Sequence, residues 1–402
     1  MTASDPFAVP PSANWTYPTS IRFGAGRIAE LANACSEAGI TNPLVVTDPG
    51  MVGLPMFQSI HKALAGNGVK HRVFRNVQPN PVESNVSEGV TSYREGDHDG
   101  VIAVGGGSAL DVGKTIALMA GQTRPVWDFE DIGDNWTRAE ASRIAPVIAV
   151  PTTAGTGSEV GRAGVVIDES THRKVIVFHP KMLPVAVICD PELTVGLPKV
   201  LTVGTGIDAL SHSLEALCSP IYHPMSHGIG LEGARLVLEN LPKVVADPTD
   251  VVARGHMMSA AAMGAVAFQK GLGGMHALAH PIGAVFNTHH GMTNAVVMPY
   301  VLTANRPAIE PVIDSLAAYV GVAGGFDGFV DHILAMRESM DVPHTLVELG
   351  VDASATDTIS TGAVADPSAS GNPIEFTNEF AARIFDAACS GDVAAAAQGE
   401  NR

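Results

Sequence analysis

The chain has 402 residues, 46% hydrophobic and only 16% charged, with 41 Asp and Glu against 24 Lys and Arg for a net charge of −17. So much apolar material fills large cores and suggests two domains, and an acidic chain without a run of Lys or Arg argues against nucleic acid or anionic lipid as a partner. Cys35, Cys189, Cys218 and Cys389 show no CxxC spacing, and the opening Met1-Thr-Ala-Ser-Asp-Pro6 lacks the basic start and apolar run of a secretion signal, so a reducing cytoplasm is the expected location.

In chain order, residues 26–39 read as a helix stopped by glycine, 43–47 as a strand, and Asp48-Pro49-Gly50 as a turn. Residues 71–77 read as a strand, 82–95 as a helix, 100–104 as a strand, 109–120 as a helix, 144–150 as a strand and 165–178 as β-like. Alternation of this kind predicts a parallel sheet covered on both faces, with ligand loops at the strand C-termini. From Lys199 helical spacing takes over, with helices expected near 200–218, 226–243, 249–268, 271–280, 290–305, 307–321, 326–340, 354–363 and 376–390. Residues 190–198 are the expected hinge between an α/β domain over 1–198 and an all-helical domain over 199–402. No internal repeat is visible, and the small, alanine-rich stretch 390–402 is expected to fray.

Two loops of the first domain carry chemistry. Gly105-Gly106-Gly107-Ser108 follows a strand and opens a helix, so backbone N–H groups can approach a pyrophosphate at the positive helix end; the bland alternative is a tight turn with no ligand. It is not a GxGxxG pattern, and Gly113-Lys114-Thr115 is not a P-loop, because Ser108 stands where that motif needs glycine; an ATPase is disfavoured. Pro151-Thr152-Thr153-Ala154-Gly155-Thr156 is a second small, hydroxyl-rich loop after an apolar strand. Asp48 is either an ordinary turn residue or a ligand for a ribose 2′-OH.

Residues 271–305 contain no Asp, Glu, Lys or Arg but hold His276, His280, His289 and His290. A membrane span is rejected, since four imidazoles, five glycines and asparagines would all need partners in lipid. His276 and His280 share a helix face, and Pro281 and Gly283 are expected to end that helix and let the chain return with His290. Upstream, Asp208 and His212 are one turn apart on a helix whose apolar face includes Leu210, Leu214 and Leu217. Each of these could be a hydrogen-bonded core residue, but together a carboxylate and imidazoles suit Fe(II) or Zn(II) better than Mg or Ca.

Gly-Met-His276-Ala-Leu-Ala-His280-Pro-Ile-Gly and Thr-His-His290-Gly-Met-Thr-Asn-Ala resemble the metal-site motif of the iron-containing (group III) alcohol dehydrogenases, in their lactaldehyde reductase and 1,3-propanediol dehydrogenase-like branch. Gly105-Gly-Gly-Ser108-Ala-Leu-Asp111-Val-Gly-Lys114 and Pro151-Thr-Thr-Ala-Gly-Thr-Gly-Ser-Glu159 are similar to that family's cofactor motifs, and the resemblance runs from about Pro18 to beyond Val301. It implies an α/β dinucleotide-binding domain with a parallel sheet, followed by an all-α metal-binding domain. It implies metal ligands at Asp208, His212, His276 and His290, with His280 as the nearby histidine that is not a ligand. It adds Asn80, Lys174, Leu193 and Gly196 to Asp48, Gly105, Gly106, Gly107, Ser108, Thr152, Thr153 and Thr156 as cofactor contacts. Asp48 then favours NAD over NADP.

The expected activity is reversible oxidation of a small primary alcohol to its aldehyde by NAD, with iron, or alternatively zinc, as Lewis acid and His280 either relaying a proton or supporting a ligand. The expected partner is a small alcohol or aldehyde, in a homodimer or higher homo-oligomer. The rivals are dehydroquinate synthase-like lyases and zinc glycerol dehydrogenases, a metal-independent reductase of the maleylacetate type, and a binding module without catalysis. Lys270 leaves one question about substrate. It is either a helix-end charge reaching solvent or, with Arg162, a cation in the cleft that would favour a hydroxy acid or semialdehyde such as 4-hydroxybutyrate.

Overall fold

The computed structural model describes residues 19–171 and 173–397. Its first part alternates β1 (Ser20–Phe23), α1 (Leu31–Glu37), β2 (Pro43–Val46), α2 (Pro55–Ala65), β3 (Arg72–Phe74), α3 (Glu83–Glu95), β4 (Gly100–Gly105), α4 (Gly107–Met119) and β5 (Val147–Pro151). An antiparallel hairpin of β6 (Ala163–Asp168) and β7 (Arg173–Phe178) follows, then β8 (Ala186–Cys189). The six other strands form one parallel sheet in the order β1-β8-β5-β4-β2-β3.

Period-two alternation explains why this sheet is covered twice. Leu44, Val46, Val101, Ala103, Val147 and Ala149 face one apolar cluster. Val45, Ile102, Val104, Ile148, Val150 and Ile188 face another. Strands buried on both faces read as continuous apolar runs, as β2, β4 and β5 do. Chain direction across the sheet reverses between β2 and β4, so the loops after these neighbours open at a switch point where open α/β sheets bind ligands.

From Lys199 every regular element described is helical: α5 (Lys199–Cys218), α6 (Pro224–Ala246), α7 (Val251–Ala267), α8 (Gly274–Phe286), α9 (His290–Tyr319), α10 (Gly325–Ser339), α11 (Thr356–Ala365) and α12 (Asn378–Ser390), with short 3-10 turns. They share one apolar core that includes Ile207, Leu210, Leu278, Val297 and Phe385. One helical run among the described residues, Val251–Lys270, is long and apolar enough to cross a membrane, but 61% of its window is buried within the protein, as a core helix requires.

The structure corrects several expectations. Pro281 does not stop its helix: α8 continues to Phe286 and ends where Asn287 turns left-handed at φ 53°. The helices expected at 290–305 and 307–321 are one, α9, which runs through Pro299, Pro307 and Pro311. A proline removes one ladder bond, and packing against α5, α8 and α10 holds α9 continuous. The strand expected at 71–77 shrinks to β3, residues 165–178 fold as a hairpin, and β1, α2 and β8 were not anticipated. Nor does the start of the tail fray. Residues 394–397 form a 3-10 turn with Ala396 buried and its carbonyl accepting from Arg383 Nε at 3.1 Å. Residues 398–402 and the Met1–Pro6 opening lie outside the described residues.

Candidate active site

The residues expected to hold the nucleotide assemble at the C-terminal edge of the sheet. Asp48, just after β2, accepts from the Gly50 and Met51 N–H groups at 2.8 and 3.1 Å through Oδ1. Its Oδ2 lies 3.7 Å from where a Cβ would sit on Gly105, so it is at once a turn residue and a carboxylate aimed at the glycine loop. Gly105 has φ 143°, a conformation that side-chain-bearing residues rarely adopt. A Cβ on Gly107 would meet Thr156 Cγ2 at 2.6 Å, and one on Gly106 would meet Thr153 Cγ2 at 3.3 Å. The absent side chains therefore let the loop after β4 lie against the loop after β5, with the Thr152 N–H donating to the Gly105 carbonyl at 3.0 Å.

Ser108 Oγ donates to the Pro79 carbonyl at 2.5 Å and ties this loop to Asn80, whose Nδ2 donates to Asn287 Oδ1 at 2.9 Å beyond α8. Leu193, buried, and Gly196 follow β8 on the same edge. Lys114 is no phosphate lysine. It is buried, donates to the Ser158 carbonyl at 2.9 Å and to the Ala163 carbonyl, and pairs with Asp111 at 3.3 Å. Asp111 in turn accepts from Ser158 Oγ at 2.6 Å and the Val165 N–H at 3.0 Å. The last residues of the Gly105–Lys114 motif thus brace the loop that leads into the hairpin.

The residues expected to hold a metal lie on helices. Ligand atoms of Asp208 on α5, His276 on α8 and His290 at the start of α9 lie within 4.8 Å of one another. His212 stands outside that triad, with its ring stacked on His276 at 4.7 Å and 19°. His280 stacks on His290 at 5.3 Å and 12°, while its Nδ1 lies 2.8 Å from Asp366 Oδ2. The sequence reading missed three partners. Glu215 Oε2 lies 2.6 Å from His276 Nδ1. Asn294 Nδ2 donates to Asp208 Oδ1 at 2.8 Å and lies 3.4 and 3.2 Å from the Nε2 atoms of His276 and His290. Asp366 reaches in from beyond α11.

Electrostatics keep two of these histidines neutral and set the third apart. Burial pushes the His212 imidazole down to about 4, and pushes His290 well down, aided by the charges of His276 and His280. Neutral imidazoles are what a metal binds. Burial alone would also lower His276, but the charge and hydrogen bond of Glu215 outweigh it and hold that ring above its usual range. Burial lowers the Lys174 amino group despite the nearby charges of Asp366 and Asp208. Its Nζ lies 3.5 Å from where a Cβ would sit on Gly283, which places it between hairpin and metal side. The donor set fits an intermediate divalent ion, and Nδ1 of His290 and Oδ1 of Asn294, buried without a hydrogen-bond partner among the described residues, are polar atoms that such an ion and its ligands would organise.

Lys270 is neither a surface charge nor a cleft cation. It is buried, and its Nζ donates to the Leu217 carbonyl at 2.9 Å, capping the end of α5, while Ser219 Oγ donates to the Lys270 carbonyl at 2.8 Å. Arg162 packs its guanidinium 5.4 Å from the Phe178 ring centre.

Two family models match the chain: iron-containing alcohol dehydrogenase over residues 18–191, and the Fe-containing alcohol dehydrogenase family, C-terminal, over residues 202–389. The chain is similar to a 4-hydroxybutyrate dehydrogenase of Cupriavidus necator, 37% identical over 368 residues that cover 89% of this chain and 95% of that one. It is similar to the crystal structure of a 1,3-propanediol oxidoreductase, with TM-score 0.89, 30% identity, and coverage of 93% of this chain and 99% of that one. A sulfoacetaldehyde reductase from Bifidobacterium kashiwanohense in complex with NAD+ aligns with TM-score 0.86 and 27% identity, covering 94% of this chain and 99% of that one.

Proposed function

The chain belongs to the iron-containing alcohol dehydrogenase family, and from that premise we propose how its residues divide the work of interconverting a small primary alcohol and its aldehyde with NAD. The observation that carries the reading is the convergence of Asp208, His276 and His290 within 4.8 Å, on elements that also touch the nucleotide edge through Asn80 and Asn287. Asp208, His212, His276 and His290 are the proposed ligands, for iron as the family's metal or for zinc, which the same donors accept. When bound, the ion supplies Lewis acidity toward the alcohol oxygen, and the nicotinamide supplies the hydride acceptor.

The chain's own groups do the rest. The N–H groups of Gly106 and Gly107, at the start of α4, hold phosphate oxygens. Asp48 accepts from ribose hydroxyls and repels a 2′-phosphate, while Thr152, Thr153, Thr156, Leu193 and Gly196 line the strand ends. Lys174 offers a cation on the hairpin side. His280, with Nδ1 directed at Asp366, presents Nε2 as the atom that takes the alcohol's proton. A division near Pro198, a homo-oligomeric state and a cytoplasmic location complete the proposal.

A second reading, a 4-hydroxy acid as substrate, is favoured by the Cupriavidus relative. Lys270 would not serve it, because that amino group caps α5. Anaerobic purification with metal analysis, followed by NADH absorbance on a panel of short alcohols, diols and hydroxy acids, tests both readings. Stoichiometric iron with turnover of neutral alcohols is expected. Undiminished turnover after complete metal removal would sink the metal assignment in favour of a metal-independent reductase.

A further inference from the structure

We propose that Glu215 is a positioning residue: it fixes the proton of His276 on Nδ1, presents Nε2 as the free lone pair, and adds the second negative charge that a divalent ion needs. This rests on the metal reading above. Glu215 sits on α5 one turn beyond His212 and is only 5% exposed. Its Oε1 accepts from the Met275 N–H at 2.6 Å and the His276 N–H at 3.3 Å, and its Oε2 lies 2.6 Å from His276 Nδ1. An ionised carboxylate only accepts, so the shared proton belongs to Nδ1, and in the neutral ring, the form that a metal binds, Nε2 is the nitrogen left unprotonated. That Nε2 is the atom facing Asp208 Oδ1, 3.8 Å away.

The charge count points the same way. Asp208 and Glu215 are both buried and pair with histidines, and Asp366 beside His280 adds a third carboxylate. The Lys174 amino group, which feels the charges of Asp208 and Asp366, is one cation against these three, and a divalent ion between neutral imidazoles would supply the two positive charges still needed.

The geometry makes an unusual ranking of variants. In Glu215→Gln the two backbone donors, Met275 N–H and His276 N–H, hold the amide oxygen where Oε1 now is, so the amide nitrogen must face His276 Nδ1. A donor there demands a lone pair on Nδ1 and drives the ring proton to Nε2, the tautomer that cannot ligate. Glu215→Ala leaves room for water, which donates or accepts as required. The closer mimic should therefore bind metal worse.

The test is chelator competition with Zn2+ alone, on the metal-stripped full chain and both variants, with 15N imidazole spectra to locate the proton and NAD binding as a check on folding. Expected are a Zn2+ affinity ten- to a hundredfold weaker in Glu215→Gln, a milder loss in Glu215→Ala, and a His276 proton moved to Nε2 only in the glutamine variant. Wild-type affinity in Glu215→Gln, a proton that stays on Nδ1, or a greater loss in Glu215→Ala would each overturn the inference. A parent protein that binds no Zn2+ would instead overturn the metal reading and this inference with it.

Discussion

On the proposed nucleotide side the groups that face the site are backbone amides, glycines and hydroxyls of loops at strand ends, whereas on the proposed metal side they are side chains of buried helices. The first side is organised by what is missing: no Cβ on Gly106 or Gly107, so the loops after β4 and β5 touch. The second is organised by what each polar atom is bonded to: His276 to Glu215, His280 to Asp366 and Asp208 to Asn294. A backbone site tolerates loss of any one side chain but not added bulk. A side-chain site behaves in the opposite way, since removing one member leaves its buried partners unsatisfied.

The largest effect should come from the metal side. His276→Ala removes a proposed ligand and strands the Glu215 carboxylate. Turnover should fall by about a thousandfold or more, since Lewis-acid catalysis supplies several kcal/mol. NAD binding, measured by fluorescence titration, should persist, because the glycine loops are built without this residue. Loss of nucleotide binding along with metal would show that the two sides are not separable.

On the nucleotide side the matching experiment adds atoms. A valine at position 107 would push into Thr156, whose Cγ2 is 2.6 Å from the new Cβ. Overpacking costs about 1–3 kcal/mol, so Gly107→Val should raise KM for NAD roughly ten- to a hundredfold while metal content stays at the parent level. A smaller effect is expected from Asp48→Gly, which removes one carboxylate that faces the Gly105 loop. The NAD-to-NADP preference should relax by roughly tenfold, the worth of one charge-assisted contact. An unchanged ratio would leave Asp48 with only its turn, where it accepts from Gly50 and Met51.

The same contrast explains what could be read from the sequence. Loop glycines and strand runs are local, so β2, β4, β5 and the Gly105 and Thr152 loops were legible, as were histidines spaced by a helical turn. Glu215 was within reach, seven residues after Asp208 on one face of α5, and Asn294 is four after His290. Asp366 meets His280 across 86 residues of chain, and no local pattern signals such a pairing. Short β1 and β8 pair only with strands distant in sequence, and prolines in α8 and α9 are overruled by packing that no propensity contains. Lys270 is harder to read, because a lysine beside glycines suggests either a solvated end or a cleft charge, while its amino group closes α5.

Lys270 also sets the smallest effect and links the two helices that carry proposed ligands. Its amino group holds the Leu217 carbonyl at the end of α5, the helix of Asp208, His212 and Glu215, while its own carbonyl receives Ser219 Oγ just before the chain enters α8. Burial lowers the amino group to about 8, only partly opposed by Cys218, against about 10.4 for an unfolded lysine. The folded chain thus binds fewer protons than the unfolded one between those values, and stability should rise with pH there. The cost of the buried charge is fully present below about pH 8 and gone above about 10.4. One proton sets a ceiling of about 1.4 kcal/mol per pH unit on the slope. Lys270→Met keeps the bulk and removes the titration, so the difference in Tm between parent and variant should change by a few degrees from pH 8 to 10. A difference that stays flat across that window would mean that the amino group is solvated and the latch between α5 and α8 depends on Ser219 alone.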